Sequence, residues 1–336
     1  MLREVRVPFG AGEMVSGTLV RRTDRFLAEI KLDGDRGTVS AHCINPGRME
    51  AFVDPGAVVW ARRHDGGAAP SKRKTKWTWE LILRDGVVCS ANTRRPNELV
   101  GAALRERALA GFERATEITA EKNLPKHGGE RTNSRCDFYC VDADGFDRWI
   151  EVKSSHSSYP EEPALRGWGY FPDSVSLRAA KHCRELARLA ARPRTRCTIL
   201  IVASRGDATE GVRVSDYHDP AFCSAARAAR DAGVRFRALR ATHAAHGTTV
   251  NEEVPVDLEK PPRATLVALH RSWTRATAIT GWDRTVGPGP AKRVANAPFA
   301  HNRGKFADAA PPRRRSAHFP ESPHFPATPP PKKRKR

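Results

Sequence analysis

Long hydrophobic runs are missing from this sequence. None of its apolar stretches is long enough to span a bilayer, and the first residues, MLREVRVPFGAGEMVSG, lack the apolar core of a signal peptide. Hydrophobic residues make up only 39% of the 336-residue chain, which predicts that part of it is disordered. These absences exclude a membrane-spanning protein, and we expect a soluble intracellular one.

Paired cysteine motifs are missing too. The seven cysteines are an odd number without a CxxC pair, and they lie in otherwise apolar segments. We therefore expect reduced thiols rather than a disulfide framework. Cys136 and Cys140 raise the idea of a metal site, but no second pair has zinc-like spacing, which favours core thiols.

Positive charge, in contrast, is abundant. The net charge is +20 and the pI is about 10.3. Residues 301–336 carry ten basic and two acidic residues, so +12 of the net charge belongs to the first 300 residues. The folded part is itself basic, which predicts attraction to a polyanion, either nucleic acid or an anionic membrane surface.

The length fits two domains with appendages. Residues 1–95 contain a series of short strand candidates, namely MVSGTLVRR, RFLAEIKL, GTVSAHC, AVVWARRH, KWTWELIL and GVVCSAN. Turn-forming stretches such as DGDRG and DPGA separate them. Five or six short strands without a long helix predict a small β-barrel, of which the OB-fold is the commonest nucleic-acid-binding type.

Residues 96–242 alternate between helices and strands. The stretch PNELVGAALRERALAGF predicts a helix with Asn97 as N-cap. The run CTILIVAS fits a central strand. DPAFCSAARAARDAG predicts another helix, with Asp219 as N-cap, Pro220 at the first position and Gly233 past the end. We therefore expect a mixed sheet flanked by helices, so that the chain is α/β overall.

Residues 243–336 lose this periodicity. They are rich in Pro, Ala and charge, which predicts a mostly disordered basic tail, with ATLVALHRSWTRA as at most a short, loosely attached helix. The final PPPKKRKR resembles a nuclear localisation signal that an import receptor reads, formed by Lys332, Lys333, Arg334, Lys335 and Arg336. The alternative is a basic tail that adds non-specific DNA affinity. We expect the nucleus if the source is eukaryotic, and the cytoplasm otherwise.

Two neighbouring stretches, NSRCDFYC and RWIEVKSS, place charged residues inside strand-like segments. Positions two apart on a strand share a face, so Glu151 and Lys153 project together. If the stretches form a hairpin through DADGFD, Asp137 lies beside Glu151. Neighbouring carboxylates repel unless a cation lies between them, and hard oxygen ligands suit Mg²⁺ or Mn²⁺. We therefore predict a catalytic site in which Asp137 and Glu151 hold the metal and Lys153 orients water and phosphate. A structural ion pair is the alternative for Glu-x-Lys alone.

Seven ordered stretches resemble the sugar fermentation stimulation protein A family. They are RFLAEIKLDG, AHCINPGRM, ANTRRPNELV, NSRCDF, IEVKSS, FPDSVSLRAAKHCREL and HDPAFCSAARAARDAGVRF, and they span roughly residues 20–240. The resemblance implies an OB-type barrel joined to a PD-(D/E)XK nuclease-like domain, and DNA binding. It implies that Asp137, Glu151 and Lys153 fall on the nuclease-type motif. It also places Glu121 near an upstream acidic position that can complete the metal site.

Basic residues around these segments are candidates for phosphate contacts. A helix predicted from about Ser174 to Ala191 carries several of them on one face, with Leu177, Leu186 and Leu189 beneath, and a solvated basic face is the alternative. Asp173 is predicted as its N-cap. The predicted nucleic-acid-binding residues are Lys72, Arg73, Lys74, Lys76, Arg135, Arg178, Lys181 and His182.

The barrel segment SKRKTKWTWELIL interleaves lysines with two tryptophans. Trp77 and Trp79 share a strand face, where they either stack on bases or fill the barrel core. Adjacent His42 and Cys43 point to opposite faces of a strand, which argues against a catalytic dyad.

These observations predict a nucleic-acid-binding protein, with DNA as the first partner and RNA as the second, that hydrolyses phosphodiesters with Mg²⁺ or Mn²⁺. A non-catalytic DNA-binding regulator that retains the nuclease fold is the alternative. A membrane-surface or scaffold protein acting through its tail is disfavoured, because most of the net charge lies before residue 301.

Overall fold

A computed structural model describes residues 2–24, 26–47, 49, 52–64, 75–125, 134–279 and 305 of the chain. Within these residues, sixteen strands form three sheets, and there are four helices. No helix in these ranges is long and apolar enough to cross a membrane.

The N-terminal part of the chain forms a closed β-barrel. The first strand of the chain, β1 (Val5–Pro8), lies outside the barrel. The barrel sheet consists of β2 (Met14–Asp24), β3 (Leu27–Leu32), β4 (Thr38–Cys43), β5 (Val58–Arg63), β6 (Trp77–Arg84) and β7 (Val87–Ser90). The order β4-β3-β2-β5-β6 closes because β4 and β6 pair in parallel, and β7 extends the sheet beyond β6. All six strand candidates and the OB-like barrel are confirmed.

The barrel core decides between the two interpretations of the tryptophans. Trp79 is fully buried, and Trp77 packs against the same core. Trp79 therefore fills the barrel, whereas Trp77 packs against the core and stays partly exposed. Cys43 is fully buried while His42 is exposed, as expected for adjacent residues on a strand.

The second part of the chain is a mixed-sheet α/β domain. Its remaining elements are α1 (Arg95–Arg105), β8 (Thr116–Asn123), β9 (Arg135–Val141), β10 (Asp147–Ser155), β11 (Trp168–Phe171), α2 (Leu177–Ala190), β12 (Thr195–Ala203), β13 (Gly211–Val214), α3 (Pro220–Asp231), β14 (Arg235–Ala244), β15 (Gly247–Val254), β16 (Val256–Asp257) and α4 (Arg263–Ile279). A seven-stranded sheet has the order β1-β15-β14-β12-β10-β9-β8, and a small sheet has the order β11-β13-β16. The predicted central strand is β12.

Helices cover both faces of the large sheet. On one face, α1 packs through residues such as Leu99 and Leu104 onto Ile150 and Val152. On the other face, α2 and α3 pack onto a core that includes Trp149. Alternate residues of β10 therefore point to opposite helical layers, which places Glu151 on the α2 side.

Three predictions about this domain need correction. The N-cap of α1 is Arg94, not Asn97, and the Asn92 side chain accepts from the Arg94 N–H. β1 belongs to the large sheet, where it pairs antiparallel with β15, so the chain enters the α/β domain before it builds the barrel. The boundary near Thr242 is too early, because β14 runs to Ala244 and β15, β16 and α4 follow.

α4 is firmly packed rather than loosely attached. Leu269 and Trp273 are buried against Tyr159, Tyr170 and Tyr217. The Tyr217 and Trp273 ring centroids lie 6.1 Å apart. This aromatic contact holds the helix. Local periodicity alone does not predict it, because the partners lie between 52 and 114 residues earlier in the sequence.

The barrel is attached to the α/β domain by backbone and charged contacts. The Ser90 N–H donates to the Ser204 carbonyl at 3.1 Å. The buried Arg205 guanidinium contacts Asp207 at 2.6 Å and Asp85, in the β6–β7 turn of the barrel, at 3.5 Å. These contacts join the end of β7 to the segment that follows β12.

Candidate functional site

The candidate site lies where β9 and β10 separate. The two strands pair antiparallel from Asp147 opposite Val141 to Ile150 opposite Phe138. The next pair in this register would be Glu151 and Asp137, but the ladder ends before it. The predicted hairpin is therefore confirmed, and it opens into a fork at the two carboxylates.

The Asp137 carboxylate occupies the fork. Its Oδ2 accepts a hydrogen bond from the Val152 N–H at 2.6 Å, in the place of a ladder partner from β9. Its Oδ1 accepts from the side-chain amide of Asn97, in α1, at 2.8 Å. Asp137 is thus oriented by the backbone of β10 and by a helix on one face of the sheet.

The Glu151 carboxylate is held from the other face. Its Oε1 accepts from Lys153 Nζ, two residues along the same strand, and from His182 Nδ1 of α2. The Glu151 side chain is 6% exposed and the Lys153 side chain is 15% exposed. The pair is therefore largely enclosed, with the lysine closer to solvent, unlike an ion pair on a fully wet face.

The two carboxylates have opposite pKa shifts. Burial, and then the negative charge of Glu151, raise the pKa of Asp137, although the Val152 N–H, Lys153 and Asn97 oppose the rise. Burial would also raise the pKa of Glu151, but Lys153 and His182 together outweigh it and lower that pKa. Glu151 therefore stays ionised while Asp137 holds its proton to a higher pH than usual, because the negative charge of Glu151 adds to the effect of burial.

Glu121 is not part of this group. The β8–β9 register places it opposite Asp137, between the pairs Ala120–Phe138 and Lys122–Cys136. Its backbone is left-handed, with φ of 55°, and its exposed side chain faces Arg135 at 3.5 Å. The described residues contain no group of three His, Cys, Asp or Glu that could hold a metal ion. With this positive φ the Glu121 side chain contacts Arg135 and not the two carboxylates. Sequence spacing does not predict a left-handed residue here.

The exposed face of α2 differs from the predicted one. Arg178, Lys181, Arg184 and Arg188 are exposed, whereas His182 is buried and cannot lie on a phosphate-binding surface. Leu177, predicted beneath the basic face, is 77% exposed. Leu186 and Leu189 pack into the core as predicted, and Cys183 packs there too, which brings the neighbouring His182 inward.

The other predicted contact residues are spread over the molecule. Arg135 is exposed on β9, two residues before Asp137, and Lys76 is exposed just before β6. Lys72, Arg73 and Lys74 lie outside the described residues, as does the basic run from Lys332 to Arg336. Arg135 therefore lies on the same strand as Asp137. Of the four basic residues predicted for the barrel, the structure describes only Lys76.

Asn97 and His182 are the site residues that sequence reasoning misassigned. Asn97 was interpreted as a helix cap, and His182 as a phosphate contact. The signal for His182 is its position at the edge of the apolar stripe of α2, next to Cys183 and four residues before Leu186. No local signal identifies Asn97, because its partner lies 40 residues later in the chain.

A turn of the barrel approaches the α/β domain near Asp173. Arg22 holds this turn by donating to the carbonyls of Asn45 and Gly47 at 2.8 and 2.9 Å. A Cβ on Gly47 would lie 3.8 Å from Asp173 Oδ2. Asp173 also contacts His156 Nε2 at 3.1 Å. These contacts place the turn at the junction between the barrel and the α/β domain.

Asp173 does not cap α2. The cap is Ser176, whose Oγ accepts from the Ala179 N–H at 3.2 Å. Burial would raise the pKa of Asp173, but His156 and His218 outweigh it and lower the pKa to about 2. Asp173 is therefore an ionised anchor at the domain junction.

Comparisons with known proteins identify the family. The family model described as "SfsA N-terminal OB domain" matches residues 20–90, and the model described as "Sugar fermentation stimulation protein RE domain" matches residues 94–247. The chain belongs to the sugar fermentation stimulation protein family. A family homologue from Dinoroseobacter shibae is 36% identical over 245 residues, which are 73% of this chain and 93% of the relative. Another, from Alteromonas mediterranea, is 35% identical and covers 73% of this chain and 98% of its own.

A solved family structure has the same fold. The SfsA protein of Pyrococcus furiosus, solved in complex with Ca²⁺, aligns with a TM-score of 0.61 at 22% identity, over 74% of this chain and 98% of that one. The two family models together cover the barrel from the second half of β2 to β7 and the α/β elements from α1 to the start of β15. The resemblance found in the sequence is thereby confirmed.

Proposed function

We propose that this protein binds DNA and hydrolyses phosphodiester bonds at the fork between β9 and β10, with a divalent metal ion. The observation that carries the proposal is the convergence of Asp137 and Glu151 beside Lys153 in a basic α/β domain. Family membership supports a nuclease-like kind of protein, since the matching domain is described as an RE domain. The domain division proposed from the sequence, a nucleic-acid-binding barrel followed by a nuclease-like domain, is part of this proposal.

The residues at the fork fit a hard cation. The negative charge of Glu151 contributes to the raised pKa of Asp137, and a cation between the two carboxylates would relieve that repulsion. Mg²⁺ and Mn²⁺ bind through one or two carboxylates and keep waters that phosphate oxygens can replace. Such an ion supplies charge neutralisation and an activated water. The Ca²⁺ in the P. furiosus relative supports a hard divalent cation here.

The side chains around the carboxylates have distinct roles in this proposal. Lys153 offers an ammonium group to the negative charge that develops on the phosphate. His182 keeps Glu151 ionised and fixes its orientation, and Asn97 orients Asp137 and opposes the rise of its pKa. The exposed basic face of α2, formed by Arg178, Lys181, Arg184 and Arg188, supplies contacts to phosphates on either side of the scissile bond.

The experiment compares cleavage by matched variants. Purified protein is incubated with DNA and RNA in Mg²⁺, Mn²⁺ or EDTA, beside Glu151→Gln and Lys153→Ala. The barrel strand β3 offers a control, because it carries a second Glu-x-Lys pattern, Glu29 and Lys31. We expect metal-dependent cleavage that falls by about 100-fold or more in the site variants and persists in Glu29→Gln and Lys31→Ala. Equal activity in every sample would show a contaminating nuclease and end the catalytic proposal.

A second candidate is a non-catalytic DNA-binding regulator. One observation favours it. Lys153 and His182 both donate hydrogen bonds to Glu151 Oε1, so this oxygen has its partners without a metal. Under this alternative, DNA binding is salt-dependent, unchanged by Glu151→Gln and never followed by cleavage. Calorimetric titration with Mn²⁺ separates the two functions, because only the metal-dependent one predicts binding that Glu151→Gln abolishes.

In this proposal the basic C-terminal tail increases the affinity for DNA and does not act as a nuclear localisation signal. The relatives from D. shibae and A. mediterranea are bacterial, and bacteria have no nucleus. We therefore favour non-specific phosphate contacts for Lys332–Arg336 over an import signal. Removal of residues 306–336 is expected to weaken DNA binding and to reduce its dependence on salt, without changing metal-dependent cleavage per bound complex.

A further inference from the structure

Two apolar side chains lie exposed at the start of α2. Val175 is 54% exposed and Leu177 is 77% exposed. Elsewhere in the described ranges, large hydrophobic side chains are comparably exposed only at Val20 and Phe26, in the barrel. Apolar surface in water is unfavourable, and neighbouring exposed apolar groups often mark a contact with a partner.

The backbone presents the two side chains together. Ser176, between them, is extended, with φ of −134° and ψ of 91°. Residues on either side of an extended position project in the same direction, so Val175 and Leu177 form one edge. The segment is held at Ser176, whose N–H donates to Asp219 Oδ2 at 2.8 Å and whose side chain caps α2. Asp219 in turn caps α3, so the edge is mounted on two helices.

The charge around this edge selects the kind of partner. Arg178, Lys181 and Arg184 follow on the exposed face of α2, and its first turn has no acidic residue. Basic side chains and a helix N-terminus both favour phosphate. His182, which contacts Glu151, follows Leu177 by five residues, which is about 7.5 Å along a helix axis. Leu177 is exposed and His182 is buried on another face, so the edge belongs to the helix whose buried side contacts Glu151.

We propose that Val175 and Leu177 form an apolar wedge that inserts between neighbouring bases of bound duplex DNA. This inference rests on the proposed function and adds how the substrate is held. Apolar side chains of DNA-binding proteins insert between base steps, unstack them and kink the duplex. Here the basic face of α2 holds the phosphates, and the wedge opens the stack at the start of that helix.

The test uses a duplex that contains 2-aminopurine, whose fluorescence rises when the base is unstacked. We expect the full-length protein to bind the duplex in Ca²⁺ and to raise the fluorescence. The double variant Val175→Ala and Leu177→Ala is expected to lose most of that rise while the dissociation constant changes by less than about threefold, because phosphate contacts dominate affinity. Val20→Ala is the control, since it removes a 42% exposed apolar side chain from the barrel. All three proteins are expected to share one melting temperature.

The outcomes separate this proposal from the one on which it rests. Duplex binding without a fluorescence rise, or a rise that the double variant retains, overturns the wedge and leaves the proposed function standing. Absence of duplex binding overturns both. Leu177-dependent binding to phosphatidylglycerol–phosphatidylcholine vesicles, with no rise on DNA, makes the edge a membrane contact and overturns the wedge.

Discussion

The side-chain amide of Asn97 donates a 2.8 Å hydrogen bond to Asp137 Oδ1, and thereby links α1 to the fork between β9 and β10. The bond favours the ionised carboxylate, because an amide donor stabilises negative charge. It acts against burial and against Glu151, which raise the pKa of Asp137. Four predictions follow from this and other contacts in the structure.

Replacing Asn97 by Ala is expected to raise the pKa of Asp137 further, since a donor to its charged form is lost. A ¹³C NMR titration of the aspartate carboxyl groups measures this directly. If the fork binds Mn²⁺, the apparent affinity at a given pH falls as well, because protons compete better with the metal. Asn123→Ala, at an exposed position of β8, is the control. An unchanged Asp137 titration would contradict the role given to Asn97.

Replacing His182 by Ala is expected to lower the free energy of unfolding by about 1–3 kcal/mol, because the buried Glu151 carboxylate loses a donor. The pKa of Glu151 is lowered in the folded protein, so its stabilising effect is present above the ordinary Glu pKa and is lost as pH falls through the lowered value. The difference from the wild type, measured by urea unfolding, therefore shrinks at acid pH. Arg188→Ala, on the exposed face of α2, is expected to change stability by less than about 0.5 kcal/mol. A pH-independent difference would speak against an electrostatic role.

The buried His243 is expected to make the free energy of unfolding depend on pH in a second way. Burial and the nearby Arg95 lower its pKa to about 3, below the ordinary value of 6.5. The unfolded chain therefore binds a proton that the folded protein does not, and stability is lost as pH falls from 6.5 towards 3. The expected slope is at most about 1.4 kcal/mol per pH unit. His243→Gln is expected to flatten this part of the curve, whereas His246→Gln, at an exposed position, leaves it unchanged. Equal slopes in all three proteins would refute the assignment.

Replacing Trp273 by Ala is expected to destabilise the protein by about 3–5 kcal/mol, the usual cost of removing a large buried aromatic side chain. Trp273 is 4% exposed and packs with Tyr217 and Leu269. Differential scanning calorimetry measures the effect, and Lys260→Ala, exposed just before α4, is the control. If the two variants melt together, α4 is the loosely attached helix that its sequence predicts.

Local patterns predicted most of the fold. The six barrel strands, the central strand β12 and the capped helix α3 are marked by alternation, turn residues, and Asp219 with Pro220 at the helix start. The errors occur where the partner is distant in sequence. β1 has only four residues and no distinctive strand pattern, and its partner strand, β15, lies about 240 residues later. α4 looks weak alone because its stability depends on tyrosines from other segments.

The sequence by itself determined the two-domain plan, the basic character and the shared face of Glu151 and Lys153, because these depend on composition and on the two-residue period of a strand. Only the tertiary structure decided that β9 and β10 diverge at Asp137, that Glu121 faces Arg135, and that α2 turns His182 inward to Glu151. Those outcomes depend on how packing rotates a helix and on one left-handed residue. Neither is encoded in the spacing of a single segment.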